Sequence, residues 1–129
     1  MSYSTEPRSL RLAGGVAAPR QARDFLAAAC SDWRAEQFVE VGSLVVSELV
    51  SNAVLHAGTD LDLTLEYSGA RLLMRVHDGS PVLPEPAGVR PIGAGGHGLE
   101  IIARIAESWG VEPDPGGKSV WCVLGAQQA

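Results

Sequence analysis

This sequence of 129 residues contains few cysteines and no surplus of basic residues. Its two cysteines, Cys30 and Cys122, have no metal-ligand spacing and provide no disulfide framework. We therefore predict that both are small buried residues of a protein in a reducing compartment. The formal net charge is -5, so no basic patch suited to a phosphate backbone is evident, and binding to nucleic acid is disfavoured.

The sequence also shows no leader-like segment at residues 1–6 and no long apolar run. The first residues, Met1 to Glu6, contain no positive region followed by an apolar one, and no stretch approaches the roughly 20 apolar residues that a membrane helix needs. We expect a cytoplasmic protein without a membrane segment. Because 46% of the residues are hydrophobic and 19% are charged, we predict a single globular domain, over 8–129. The polar residues 1–7 are predicted to be a disordered tail.

The hydrophobic periodicity switches between the period of a helix and that of a strand. Alternating segments predict strands, and apolar residues at helical spacing predict three helices, the second of them apolar nearly all round and ended by Gly58. The predicted order is strand, two helices, hairpin, long loop, helix and hairpin. This order predicts an α+β fold with one mixed, mostly antiparallel sheet and helices on one face. The predicted strands are 8–12, 61–67, 73–78 and 119–124, with a turn over 113–117, and the first two helices are 18–33 and about 36–57.

The second helix contains the most informative pair of polar residues, Glu48 and Asn52. Residues four apart lie on one face of a helix, and a carboxylate and a carboxamide among apolar neighbours are costly unless they bind something. Oxygen ligands suit Mg²⁺, so Asn52 is a candidate metal ligand, and Glu48 is free to act on a proton. The alternative is a helix on which both side chains simply face solvent.

Three other segments are candidates for the same site. Asp78 ends a strand and could accept a hydrogen bond from the amino group of an adenine, although Asp-Gly is also a common turn. A glycine-rich segment opens the third helix and could bring backbone N–H groups to a phosphate, unless it is a flexible linker. Ser119 could donate a hydrogen bond from the last strand, or simply follow a turn. The glycine-rich segment consists of Gly93, Gly95, Gly96, His97, Gly98 and Leu99 with the intervening Ala94.

In this order, the segments resemble the GHKL ATPase superfamily of gyrase, heat-shock chaperones, histidine kinases and MutL. The resemblance covers about residues 8–124 and is greatest to the small bacterial anti-sigma-factor serine kinases. It implies a Bergerat-type ATP-binding sandwich that uses ATP and Mg²⁺. It further implies that Glu48 is the general base, Asn52 the Mg²⁺ ligand and Asp78 the adenine-binding residue. The remaining implied nucleotide-binding residues are Gly93, Gly95, Gly96, His97, Gly98 and Leu99 of the phosphate-binding lid, and Ser119.

One motif departs from the pattern of that family. The usual Asp-x-Gly-x-Gly reads Asp78-Gly-Ser80-Pro-Val82 here, so both motif glycines are replaced and Pro81 stiffens the backbone. The resemblance implies a kinase that binds a sigma factor and phosphorylates a serine of a STAS-type anti-anti-sigma partner, with a homodimer possible. The alternative is a non-catalytic, nucleotide-gated module that sequesters a sigma factor or another regulator.

Overall fold

The computed structural model describes residues 6–82 and 98–126, and these form three α-helices and five β-strands. The chain order agrees with the predicted order of strands and helices. In sequence, the elements are β1 (Arg8–Leu12), α1 (Ala18–Trp33), a short 3-10 helix (Glu36–Phe38), α2 (Val39–Ala57), β2 (Leu61–Tyr67), β3 (Arg71–Asp78), α3 (Gly98–Ile105), β4 (Ser108–Asp114) and β5 (Gly117–Gly125).

The five strands form one sheet in the order β1-β2-β3-β5-β4. All four neighbouring pairs in the described residues are antiparallel. The last hairpin therefore returns with β5 beside β3, and β4 becomes an edge strand. This arrangement confirms the predicted α+β class with a largely antiparallel sheet.

The core lies between the helices and one face of the sheet. Strand residues alternate between two faces, and on β3 the buried positions are every second residue from Leu72 to Asp78. Helix α2 contacts α1, α3, β3 and β5, so it is the central helix of the layer. The same face of β5 contributes Lys118, Val120, Cys122 and Leu124.

Helix α2 ends where the sequence predicts. Gly58 follows its last residue with φ of 62°, a left-handed conformation that glycine adopts at little cost. The start of the helix differs from the prediction of one helix from about residue 36. A separate 3-10 turn over Glu36–Phe38 buries Phe38 before the α-helix begins at Val39.

Several strand boundaries also differ from those predicted, and β5 runs over Gly117–Gly125 instead of 119–124. Strand β3 begins at Arg71, two residues before the predicted start, because it continues its pairing with β5 as far as Gly125. Pro113, predicted within a turn, lies in β4. Proline is tolerated in β4 because it is an edge strand, in which every second N–H points away from the neighbouring strand.

The expectation that no segment is long and apolar enough to span a membrane is wrong, as judged by length and composition alone. The segment Glu36–Leu55 is long enough and has a mean hydropathy of 1.5. Its apolar character has a packing explanation, because α2 contacts other helices and the sheet on several sides. The core helix of a globular domain meets the same criteria of length and composition.

Both cysteines are buried free thiols, as predicted. Burial raises the pKa of Cys30 to about 11, with a smaller contribution from the charge of Glu36. Burial alone raises the pKa of Cys122 to about 12. The thiolate is the reactive form, so neither cysteine is expected to be nucleophilic near neutral pH.

We predict that a disulfide reagent at about pH 8 reacts slowly with the native protein and quickly with both thiols in guanidinium chloride. Because the folded-state pKa values are raised, their stabilising contribution is complete below the unfolded thiol pKa of about 8.5. That contribution is lost as the pH rises through about 11 to 12. Fast labelling of the native protein would contradict the observed burial.

Candidate functional site

The two polar residues of α2, Glu48 and Asn52, are both partly or largely withdrawn from solvent. Asn52 is buried, with 9% of its surface exposed, and Glu48 one turn earlier is half-buried. Their separation of four residues places them on one face of the helix. A half-buried carboxylate next to a buried carboxamide can reach a ligand while part of its hydration is already removed.

The carboxyl end of α2 is connected directly to the strand end that carries Asp78. After Gly58, the chain enters β2 at Leu61, which lies opposite Asp78 in the β2–β3 pairing. The backbone N–H of Gly79 donates to the hydroxyl of Thr59 at 3.0 Å, which ties the turn after α2 to the turn after β3. The end of α2 and Asp78 are thereby held at the same end of the sheet.

Asp78 is in a buried ion pair that the sequence did not lead us to expect. Lys118 lies directly opposite it on β5, and Nζ of Lys118 is 3.0 Å from Oδ1 of Asp78. Both side chains are only 2% exposed. The same Oδ1 accepts the backbone N–H of Ser80 at 2.9 Å, and Nζ also donates to the carbonyl oxygen of Ser80 at 3.3 Å.

The backbone of β5 at Gly117 lies very close to the backbone of β3 at Asp78. Gly117 has φ of 142°, and a Cβ at this position would overlap the carbonyl oxygen of Asp78. Any other L-residue would combine an unfavourable backbone conformation with a clash against main-chain atoms that cannot move aside. The position of Asp78 therefore depends on the glycine before Lys118.

The structure does not bring Ser119 to the Asp78 side of the sheet. Ser119 lies opposite His77, and this pair is next to the Asp78–Lys118 pair in the register of β3 and β5. Because side chains alternate between faces, Ser119 and His77 point to the face away from the helices. His77 contacts Asp114 there, with Nε2 3.1 Å from Oδ2. Lys118, and not the predicted site residue Ser119, lies opposite Asp78 on β5.

The glycine-rich segment lies mostly outside the described residues, which include only its end. Gly98 is the first residue of α3, and Leu99 is buried with 5% of its surface exposed. Helix α3 contacts α2 and β4. The four candidates outside the described residues are Gly93, Gly95, Gly96 and His97.

The side chains of the candidate site can bind a magnesium ion only if a nucleotide and water supply most of its ligands. Within residues 6–82 and 98–126, no group of three or more His, Cys, Asp or Glu side chains could hold a metal ion. Mg²⁺ usually keeps several waters and binds through one or two protein oxygens together with substrate phosphates. The carboxamide oxygen of Asn52 is compatible with that mode of binding.

Lys118 is the functional candidate that sequence reasoning missed. It is the only lysine in the sequence, and lysines are rarely buried without a partner. The alternation of the last strand contained a usable signal, because Lys118 shares its face with Val120, Cys122 and Leu124 rather than with Ser119. What the alternation could not supply is the register that pairs Lys118 with Asp78.

The fold brings the end of the helix that carries the Glu48/Asn52 pair and the strand end that carries Asp78 to the same end of the sheet. The chain belongs to the family described as the histidine kinase-like ATPase domain, whose model matches residues 14–124. The resemblance to the GHKL superfamily is thereby confirmed. Membership of an ATPase family implies that the nucleotide is ATP.

The fold is also similar to that of a solved structure. This is the crystal structure of the RsbU and RsbW domains of Rv1364c from Mycobacterium tuberculosis, with a TM-score of 0.71 and 17% sequence identity. The alignment covers 94% of this chain but only 32% of that one, so this chain spans about a third of its length. At this identity, the likeness concerns the fold alone. No curated protein matches the sequence.

We predict that Gly117→Ala destabilises the protein by at least about 1–3 kcal/mol, the range for a strained backbone conformation. Gly116 is the matched control, because it has no positive φ and an added Cβ would meet only the Asp114 carboxylate at 3.6 Å. Thermal or denaturant unfolding of the two variants should show a large loss for Gly117→Ala and a small change for Gly116→Ala. Equal stabilities would contradict the close β3–β5 approach.

Proposed function

We propose that this protein is an ATP-dependent protein serine/threonine kinase of the anti-sigma-factor type. The observation that carries the proposal is the position of Glu48 one turn before the buried Asn52 on the central helix, whose last residues are tied to the turn after Asp78. Family membership supports the use of ATP. The resemblance in sequence to anti-sigma-factor serine kinases supports a sigma factor and a STAS-type anti-anti-sigma protein as partners.

The proposed reaction transfers the γ-phosphoryl group of ATP to a serine of the partner. The serine oxygen forms a bond to the γ-phosphorus, the bond from that phosphorus to the β,γ-bridging oxygen breaks, and ADP leaves. The proton of the serine hydroxyl passes to the carboxylate of Glu48. Asp78 would bind the adenine amino group, and backbone N–H groups at the start of α3 would contact phosphate oxygens.

A bound Mg²⁺ would neutralise phosphate charge in this reaction. Asn52 would hold it through the carboxamide oxygen, with waters and phosphates as the other ligands. The half-buried position of Glu48 suits a proton acceptor, because the side chain is accessible from solvent without being fully hydrated.

One observation favours a second function, that of a non-catalytic nucleotide-gated binding module. Oδ1 of Asp78 is already occupied by Lys118 and Ser80, and the glycines that would follow Asp78 in the family motif are replaced by Ser80 and Val82. A domain of this kind could bind ATP weakly and use it only to change its affinity for a sigma factor.

We predict that ATP binds in a Mg²⁺-dependent way. Isothermal titration calorimetry with ATP and Mg²⁺ should show binding that falls strongly when EDTA removes the metal, because phosphate charge would then lack its counter-ion. Asn52→Ala should show the same weak binding with Mg²⁺ as the wild type shows with EDTA. If ATP binds equally well with and without Mg²⁺, Asn52 is not a metal ligand.

We predict that Glu48→Gln lowers phosphate transfer to a partner serine by at least about 100-fold, within the usual range for general-base catalysis. ATP affinity should stay within a few-fold, since a proton acceptor acts in the transition state and contributes little to ground-state binding. Transfer of labelled γ-phosphate to purified anti-anti-sigma proteins is the measurement.

Ser51→Ala is the matched control for that experiment, because Ser51 is a half-buried residue of the same helix with no proposed role. It should transfer phosphate like the wild type. Wild-type transfer by Glu48→Gln would remove Glu48 as the base. If the wild type itself transfers nothing, yet binds a sigma factor more tightly with ATP, the binding module is the correct function.

A further inference from the structure

The ammonium group of Lys118 is a buried charge to which the proposed reaction assigns no role. Its side chain and that of Asp78 are each 2% exposed, and their charged atoms are 3.0 Å apart. Removing two charges from water is costly, and the mutual attraction offsets this cost only when good geometry and further hydrogen bonds accompany it. A buried pair of this kind at the base-binding residue of a proposed ATP site therefore calls for a functional explanation.

The hydrogen bonds of the pair involve one oxygen of the carboxylate. Oδ1 of Asp78 accepts from Nζ of Lys118 and from the backbone N–H of Ser80, and Nζ also donates to the carbonyl of Ser80. These three bonds form a closed ring that holds Oδ1 in place. Among the described residues, no hydrogen bond is made to Oδ2. The two oxygens are thereby made unequal.

We propose that Lys118 is a positioning residue for base recognition, an inference that rests on the proposed function. By holding Oδ1, Lys118 leaves Oδ2 of Asp78 as the acceptor for the 6-amino group of an aminopurine. Without the ammonium, the carboxylate loses its strongest partner and can rotate, so its acceptor is no longer held in one place. A 6-oxo purine presents an acceptor to Oδ2 and is rejected.

The test compares two nucleotides that differ only in the 6-amino group, ATP and purine riboside triphosphate. Dissociation constants with Mg²⁺ are measured for the wild type and for Lys118→Met, which keeps an unbranched side chain but has no ammonium. The wild type is expected to prefer ATP by at least about tenfold, which corresponds to about 1.4 kcal/mol. In Lys118→Met this preference should fall to within about two- to threefold.

The ratio of the two dissociation constants separates positioning from a merely structural role. A general loss of fold stability, or a changed phosphate site, weakens both nucleotides alike and leaves the ratio unchanged. Arg71→Met is the matched control, because it also removes one positive charge from an ion pair of β3, here the exposed pair with Glu107 at the opposite end of the strand. It should keep the wild-type ratio.

A second measurement uses the wild type alone and does not depend on whether Lys118→Met folds. Lys118 is the only lysine, so labelling with [¹⁵N]lysine gives a single side-chain ammonium signal in NMR spectra. That signal should shift on addition of ATP with Mg²⁺, because a new donor at Oδ2 withdraws charge from Oδ1. Purine riboside triphosphate should produce a much smaller shift.

The outcomes distinguish the two proposals. If the wild type binds neither nucleotide, the proposed function is wrong and the role of Lys118 falls with it. If the wild type prefers ATP and Lys118→Met keeps the same ratio, or the ammonium signal responds equally to both nucleotides, only the role of Lys118 is overturned. A wild type that prefers GTP to ATP would also overturn it, because Lys118 would then be serving the O6 acceptor of guanine.

Discussion

The buried contact between Asp78 and Lys118 can form only because β3 and β5 approach each other very closely at one end of the sheet. Gly117 makes this approach possible, since any side chain there would overlap the main chain of Asp78. The pairing also determines which residue of the last strand faces the helices. A shift of one residue would place Ser119 beside Asp78 and expose the lysine, so the identity of the site depends on the strand register.

The other half of the candidate site depends on how α2 is held. This helix contacts helices on two sides and the sheet below, and it is apolar enough to resemble a membrane segment by composition. Polar side chains on such a helix are placed with little freedom, because the packing of the apolar positions determines its rotation. The hydrogen bond from Gly79 to Thr59 then ties the end of α2 to the turn after Asp78. Glu48 and Asn52 are thus carried by a rigid element, as a catalytic or metal-binding pair requires.

The candidate site contains few unpaired charges among the described residues. Within the described residues no cluster of acidic or histidine ligands could hold a metal ion by itself, and the strand-end carboxylate is neutralised by the single lysine of the protein. A polyanionic nucleotide therefore does not meet an unpaired carboxylate at Asp78. The same pairing is compatible with both proposed functions, since the proposed role in base recognition does not depend on whether phosphate is afterwards transferred.

The sequence by itself determined the order of the elements, the α+β class and the polar pair of α2. It could do so because these properties arise from short-range periodicity: alternation along 61–67, helical spacing along 18–33 and the glycine that ends α2. It also contained the motif that indicates the ATPase superfamily. The predicted starts of α2 and β3 were less accurate, because burial of Phe38 and pairing with β5 decide them. Only the tertiary structure decided that Lys118 rather than Ser119 accompanies Asp78, because register is a property of two strands that are 40 residues apart in the chain.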